Sequence, residues 1–258
     1  MKCIKHNLGK FEEIRILPLA DLHLGDTNSD FKKLMEYINF IRDNDNVFTI
    51  LNGDLMDSAT KYSIGNGIYD TKLMPMEQLK QCVKLFEPIA PKILAVTPGN
   101  HEMRLKNDGI DMADIMCSQL QIPERYSPTA ALLFIRFGED AARCHHKRPV
   151  LYTIYCVHGA GGGRMEGGKV NRLMQLANIV DADCFIHSHS HLPAIVKTGY
   201  YRVSAANSSV HKVDKLFVNT AALLDYASYA ELQSYKPTSI EMPMIILDGT
   251  KHNMKAVL

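Results

Sequence analysis

Five short clusters of metal-binding and proton-transferring side chains mark the chain: Asp21-Leu22-His23, Gly53-Asp54-Leu55-Met56-Asp57, Gly99-Asn100-His101-Glu102, His158-Gly159 and His189-Ser190-His191. Alone, an Asp-x-His after an apolar run is more often a cap beside a surface imidazole than a metal site. Together the clusters offer carboxylate, imidazole and carboxamide donors without cysteine. That set suits Mn, Fe, Zn, Co or Ni and differs from a thiolate-rich structural zinc site. Two divalent ions roughly 3.5–4 Å apart need a ligand with two oxygens between them, and Asp54 is the bridging candidate. Gly53, Gly99 and Gly159 let the backbone turn sharply beside ligands, at an entropic cost that purely structural loops have less reason to bear three times.

The elements that must position these clusters read from hydrophobic spacing. Residues 14–20, 47–51 and 93–96 are short apolar runs, each emptying into one of the clusters, as buried strands with polar C-terminal tips do. Between them lie two amphipathic helices. One carries Phe31, Leu34, Met35, Ile38 and Ile41 on one face behind a cap at Ser29 or Asp30; the other carries Leu79, Cys82, Val83 and Phe86 and stops before Pro88. Further strands are expected at 131–136, 150–157, 184–186, 194–203, 216–218 and 244–247, with one helix presenting Val170, Leu173, Met174, Ala177 and Val180. In an open α/β sheet the C-terminal strand ends converge on one crevice, so the five clusters meet there. Without a Pro/Ser-rich linker, a fixed repeat or a low-complexity tract, residues 1–258 read as a single α/β domain of two packed sheets. The irregular stretch 58–75 is a candidate substrate loop.

Composition narrows the partners. With 46% hydrophobic and 22% charged residues the chain is an ordinary globular one, which excludes wholesale disorder, collagen and coiled coil. Lys+Arg 29 against Asp+Glu 28 leaves a formal net charge of +1, so any polyanion site must be local. The six cysteines are scattered singly, and MKCIKHNLGK lacks an apolar signal core, which together predict a reducing cytoplasm with free thiols. No apolar stretch approaches the roughly 20 residues a membrane helix needs, so no membrane partner is expected.

In order, D-x-H, G-D-x-x-D, G-N-H-E, H-G and H-x-H resemble the signature of the calcineurin-like metallophosphoesterases, from Asp21 to about Pro193. The resemblance implies a four-layer α/β/β/α sandwich with two central mixed β-sheets and the site at the strand tips. By position, Asp21, His23 and His191 bind one metal, Asn100, His158 and His189 bind the other, and Asp54 bridges. His101 is similar to the histidine that contacts the scissile phosphate and protonates the leaving oxygen. Asp57 and Glu102 look like residues that hold ligand or catalytic imidazoles in one tautomer. Arg104 is a candidate for a phosphate oxygen, with a solvated loop arginine as the alternative.

One motif departs from the pattern. The stretch reads His187-Ser188-His189-Ser190-His191-Leu192-Pro193, with Ser188 where the family usually has Gly. Pro193 selects His189 and His191 as the ligands. His187 is then a more remote supporting group or a metal-scavenging bystander, the latter preferred. The glycine-rich stretch after His158 lacks G-K-[ST] and is no nucleotide P-loop; it reads as a rim bringing Arg164 or Lys169 near substrate. The basic run 143–148 reads as a solvated hairpin tip, with a nucleic-acid contact as the alternative.

The expected reaction is therefore phosphate-ester hydrolysis with two divalent ions, Mn first among them. Metal-activated hydroxide attacks phosphorus and His101 is the general acid. A phosphodiesterase or nuclease acting on nucleic acid or nucleotides is the preferred reading. A phosphomonoesterase, including protein phosphatase, would call for a pair of phosphate-gripping arginines, and only Arg104 is so placed. A non-catalytic protein-binding scaffold would have no reason to keep buried carboxylates and imidazoles crowded together without metal. Oligomeric state and the role of 226–258 are left open by the sequence.

Overall fold

The computed structural model describes all residues except 61–62, 64–70, 139–148, 162, 227–230 and 232–233. The basic run 143–148 and half of the irregular stretch 58–75 thus lie outside the described residues. Eleven described strands form two mixed sheets. One has the order β11-β10-β2-β3-β4, from β2 (Glu13–Leu19), β3 (Val47–Asn52), β4 (Ile93–Thr97), β10 (Met244–Asp248) and β11 (Met254–Val257). The other has the order β1-β5-β6-β7-β9-β8, from β1 (Lys2–Asn7), β5 (Ala131–Phe137), β6 (Val150–Val157), β7 (Cys184–His187), β8 (Ala194–Ser204) and β9 (Ser209–Asn219).

Three apolar layers define the sandwich. Ile14, Ile16, Phe48, Ile50 and Leu94 meet Leu133, Ile154, Ile186 and Val218 between the sheets. Helices α1 (Phe31–Asp43), α2 (Pro75–Phe86) and α3 (Met112–Gln119) cover the outer face of the first sheet through Leu34, Ile38, Leu79, Phe86 and Met116. Helix α4 (Glu166–Gln175) covers the second through Leu173 against Phe185 and Phe217. The result is the expected α/β/β/α stacking. Each fully buried Leu, Ile or Phe contributes about 1.5–3 kcal/mol, so the runs that read as strands are also the stabilising layers.

Local chemistry explains the boundaries. Asp30 caps α1 by accepting from the Lys33 amide at 2.9 Å. Phe31, in the first turn, is 43% exposed and does not join the buried face of α1. Helix α2 ends at Phe86 and continues as a 3-10 turn across Glu87–Lys92, where Pro88 and Pro91 exclude an α-helix. Strands β1 and β11 and helix α3 carried no clear periodic signal, and β9 runs seven residues further toward its N-terminus than its apolar end suggested. The C-terminal residues supply β10 and β11, which pair antiparallel on the free edge of β2.

Strands β2, β3 and β4 run parallel, as do β6, β7 and β9. All five clusters therefore leave their sheets at C-terminal strand ends. The two sets are tied where they meet: the Asp21 amide donates to Gly53 O and the Leu223 amide, after β9, donates to Asp21 O, both at 3.0 Å.

Candidate metal centre

At the strand tips, three groups of donor atoms each lie within 4.8 Å of one another: Asp21, His23 and His191; His23, Asp54 and His101; Asp54, His158 and His189. Asp54 belongs to two of them. Asn100 joins the last, its Oδ1 standing 3.3 Å from His158 Nε2. The structure therefore brings together all seven residues expected to ligate, and His101 with them.

The backbone around these residues is strained. Asp21, His23, Asp54, His189 and His191 all have positive φ, between 46° and 64°, a region that costs L-residues about 1–2 kcal/mol each. Such strain persists where surrounding contacts over-determine the conformation and concentrates at functional sites. The strand tips impose it here, because each side chain must turn from its strand axis into the same crevice. Gly99 shows how tight the crevice is: a Cβ there would collide with the carboxylate and amide of Asp54.

Hydrogen bonds leave one set of atoms turned inward. The His101 amide donates to Asp54 Oδ1 at 2.8 Å, and the His189 amide donates to Asp21 Oδ2 at 3.0 Å. The second oxygens, Asp54 Oδ2 and Asp21 Oδ1, face imidazoles. His158 Nδ1 donates to Asn52 O at 2.8 Å, which presents Nε2 to Asp54 Oδ2 at 3.2 Å. Asp21 Oδ1 has His191 Nε2 at 3.2 Å. Neither Asp21 Oδ1 nor His23 Nε2, both buried, makes a hydrogen bond, and such orphans cost about 1–3 kcal/mol.

The titration behaviour follows. Burial opposes ionisation of Asp54, but His158, His101 and His23 around it hold its carboxyl well below the usual carboxylate range. Burial also opposes a charged His158, yet the bond to Asp54 and the charge of Asp21 push it up to about 10. Burial and the neighbouring His101 lower His23 to about 3. Two buried carboxylates thus face imidazole nitrogens through oxygens that make no other hydrogen bond. This donor set fits divalent metal, which would satisfy Asp21 Oδ1 and His23 Nε2 and replace the proton shared by Asp54 and His158.

Around the donors sit residues that hold them. His101 Nδ1 faces both the backbone oxygen of Asp57 at 2.8 Å and its Oδ1 at 3.0 Å, the tautomer-fixing contact expected of Asp57. Glu102 differs from expectation: it touches no imidazole. Its Oε2 accepts from the Asp54 and Gly99 amides at 2.9 and 2.8 Å, and its Oε1 from the Met56 amide at 2.9 Å. A buried carboxylate on three N–H groups stitches the second cluster to the third. Arg104 donates to the backbone oxygen of Asp57 at 2.8 Å and approaches His101 Nε2 at 3.0 Å, with its side chain 24% exposed. Arg164 lines the same cavity as Asp54 and His191.

His187 is 3% exposed, bonds Asn219 Oδ1 through Nδ1 at 2.8 Å, and packs against Gly159, where its ring leaves no room for a side chain; it takes the place of a supporting group beneath the site. Asn219 donates onward to Ser190 Oγ at 2.8 Å and Leu192 O at 2.5 Å, bracketing His191. Asn52 does the same for the other side, donating to Val157 O at 2.9 Å and Ser188 Oγ at 2.7 Å while accepting from Thr97 at 2.8 Å. That contact accounts for the serine at 188. Sequence reasoning overlooked both asparagines. Their one signal was position, an amide side chain closing an apolar strand.

A model of the calcineurin-like phosphoesterase family matches residues 14–201. Solved structures similar to the chain include a metallophosphoesterase from Sphaerobacter thermophilus, at 14% identity over 95% of this chain and 89% of that one, TM-score 0.39. Another is Vps29 from Entamoeba histolytica in complex with zinc, at 11% identity over 95% of this chain and 97% of that one, TM-score 0.38. No curated protein matches the chain by sequence.

Proposed function

The chain belongs to the calcineurin-like phosphoesterase family and is a metal-dependent phosphoester hydrolase, and from that premise we propose that it is a phosphodiesterase acting on nucleic acid or nucleotides. The observation that carries the diester reading is a pair of spaces meeting at the donor cluster. A cavity of about 560 Å³ contains His23, Asp54, His101 and His191 in its wall, and a groove of about 580 Å³ contains Arg104 and His158; Asn100 lines both. A phosphodiester carries two substituents on phosphorus and needs room for each. A monoester needs one.

In this reading residues 1–258 act as one domain in the cytoplasm. The five described cysteines are free, and no described helix is long and apolar enough to cross a membrane. Asp21, His23 and His191 would hold one divalent ion, Asn100, His158 and His189 a second, and Asp54 would serve both, with manganese the first metal to test. Metal in these positions supplies positive charge against the phosphoryl oxygens and acidifies water. His101, oriented by Asp57, donates a proton from Nε2 to the departing oxygen. For that, Arg104 must move from Nε2, a phosphoryl oxygen offering its guanidinium the charge-assisted partner, and Nε2 must take up a proton from solvent so that the ring is an imidazolium before the leaving oxygen departs. Glu102 keeps the Asp54 and Gly99 backbones in place throughout.

The test is hydrolysis of methyl p-nitrophenyl phosphate and of p-nitrophenyl phosphate by metal-stripped protein with Mn²⁺ restored, with Asp54→Asn in parallel. Diester cleavage lost in Asp54→Asn supports the reading. Preference for the monoester replaces it with a phosphomonoesterase, and binding of metal without cleavage of either replaces it with a scaffold role.

A further inference from the structure

One wall of the cavity that holds His23, Asp54, His101 and His191 comes from residues beyond the 14–201 that match the family. Tyr226 and Tyr235 line it together with Asp54, Asn100 and His191, and their side chains are partly open, at 41% and 43% exposure. Lys236, next to Tyr235, donates to Glu166 at 2.9 Å and so ties this wall to the first turn of α4. Arg164 and Lys169 face the same space. Burial pushes the Lys169 ammonium below its ordinary value, so an anion beside it returns what desolvation costs.

We propose that this wall is a nucleoside pocket, in which the base of a nucleotide stacks on Tyr226 and Tyr235 while its scissile phosphate lies at the metal donors and an adjacent phosphate meets Arg164 and Lys169. The inference rests on the phosphodiesterase reading and names the substituent that fills one of its two spaces. Flat aromatic rings accept any base through its π-face. A space of about 560 Å³ falls in the range that encloses a ligand of nucleotide size. Arg164, Lys169 and Lys236 share this lining with Asp26, Asp54, Glu166 and Asp225, and Lys236 is paired with Glu166, so Arg164 and Lys169 are the cations placed for a phosphate. Tyr226 and Tyr235 therefore select what the shared metal chemistry acts on.

The test is calorimetric titration of the Mn²⁺-loaded protein with the non-hydrolysable 5′-methylenephosphonate of thymidine, and with that of ribose as the base-free control. The thymidine compound is expected to bind about ten-fold or more tightly than the ribose compound, the usual gain from stacking one base. In the Tyr226→Ala/Tyr235→Ala protein the ratio falls to near one, and in Tyr226→Phe/Tyr235→Phe it is retained. A ratio near one in the unaltered protein, or one that survives both alanines, overturns the pocket. If the double variant fails to fold, the two single alanine variants carry the same comparison. Cleavage of methyl p-nitrophenyl phosphate by the same preparation reports on the underlying reading separately. Diester cleavage with a ratio of one removes the pocket alone; an intact ratio with monoester cleavage alone removes the phosphodiesterase reading and leaves the pocket.

Discussion

Arg104 holds a guanidinium nitrogen 3.0 Å from Nε2 of His101. A guanidinium only donates, so in this arrangement Nε2 is an acceptor and the ring proton sits on Nδ1, toward Asp57. The nitrogen assigned to protonate the leaving group is thus covered until Arg104 finds another partner.

His101→Ala is expected to lower kcat by about 10²–10⁴-fold on diesters with an alkyl leaving group. On p-nitrophenyl esters, whose leaving group departs without a proton, the loss is expected to be within about ten-fold. Metal content by elemental analysis stays at the unaltered level. Equal losses on both substrates would remove the acid role.

Asp54→Asn takes away the carboxylate oxygen that faces His158 at 3.2 Å and belongs to two of the three donor groups. Elemental analysis after dialysis against Mn²⁺ is expected to show a loss of bound metal, with hydrolysis falling to background. Retention of full stoichiometry and turnover would rule out a bridging role.

Glu102→Gln replaces one acceptor oxygen by an NH₂ that faces backbone donors, so at least one of the Gly99, Asp54 and Met56 amides loses its partner. Denaturant unfolding is expected to show a loss of about 1–3 kcal/mol. Metal affinity should fall about 10–100-fold, as when groups supporting metal ligands are removed. An unchanged affinity would make Glu102 a folding residue only.

Asn219→Ala releases His187, Ser190 and Leu192 at once. It is expected to cost about 2–3 kcal/mol of stability. It should also weaken metal binding although Asn219 touches no metal donor; the check is a Mn²⁺ titration followed calorimetrically.

Asp183 gives the fold a pH dependence away from the metal donors. Burial opposes its charge, but His252, together with the Thr153 amide and hydroxyl, holds its carboxyl below the ordinary value. A folded pKa below the unfolded one, about 4, means this contribution is complete above roughly pH 5 and is lost as the pH falls below about 4. Urea midpoints in EDTA should therefore drop more steeply between pH 5 and 3 in the unaltered protein than in Asp183→Asn. Parallel curves would refute it.

The sequence by itself determined the elements whose signal is local. Apolar runs such as 47–51 can only be buried, and Leu34, Ile38 and Ile41 share a helix face whatever surrounds them, so the layers and the polar tips were legible. The ligand residues were legible for the same reason, because Asp21, Asp54 and His158 each stand where a strand ends. Strands β1 and β11 were not, since Lys2–Asn7 and Met254–Val257 lie on sheet edges where one face meets water and no full alternation is required. Only the tertiary structure decided what crosses between the sheets. Asn52 and Asn219 bind loops roughly 30 to 140 residues away in the chain, Glu102 turned from an imidazole to three amides, and Tyr235 reached the same cavity as Asp54. A carboxamide or carboxylate takes whichever donors the packed core leaves unpaired beside it, and that choice exists only after the two sheets have come together.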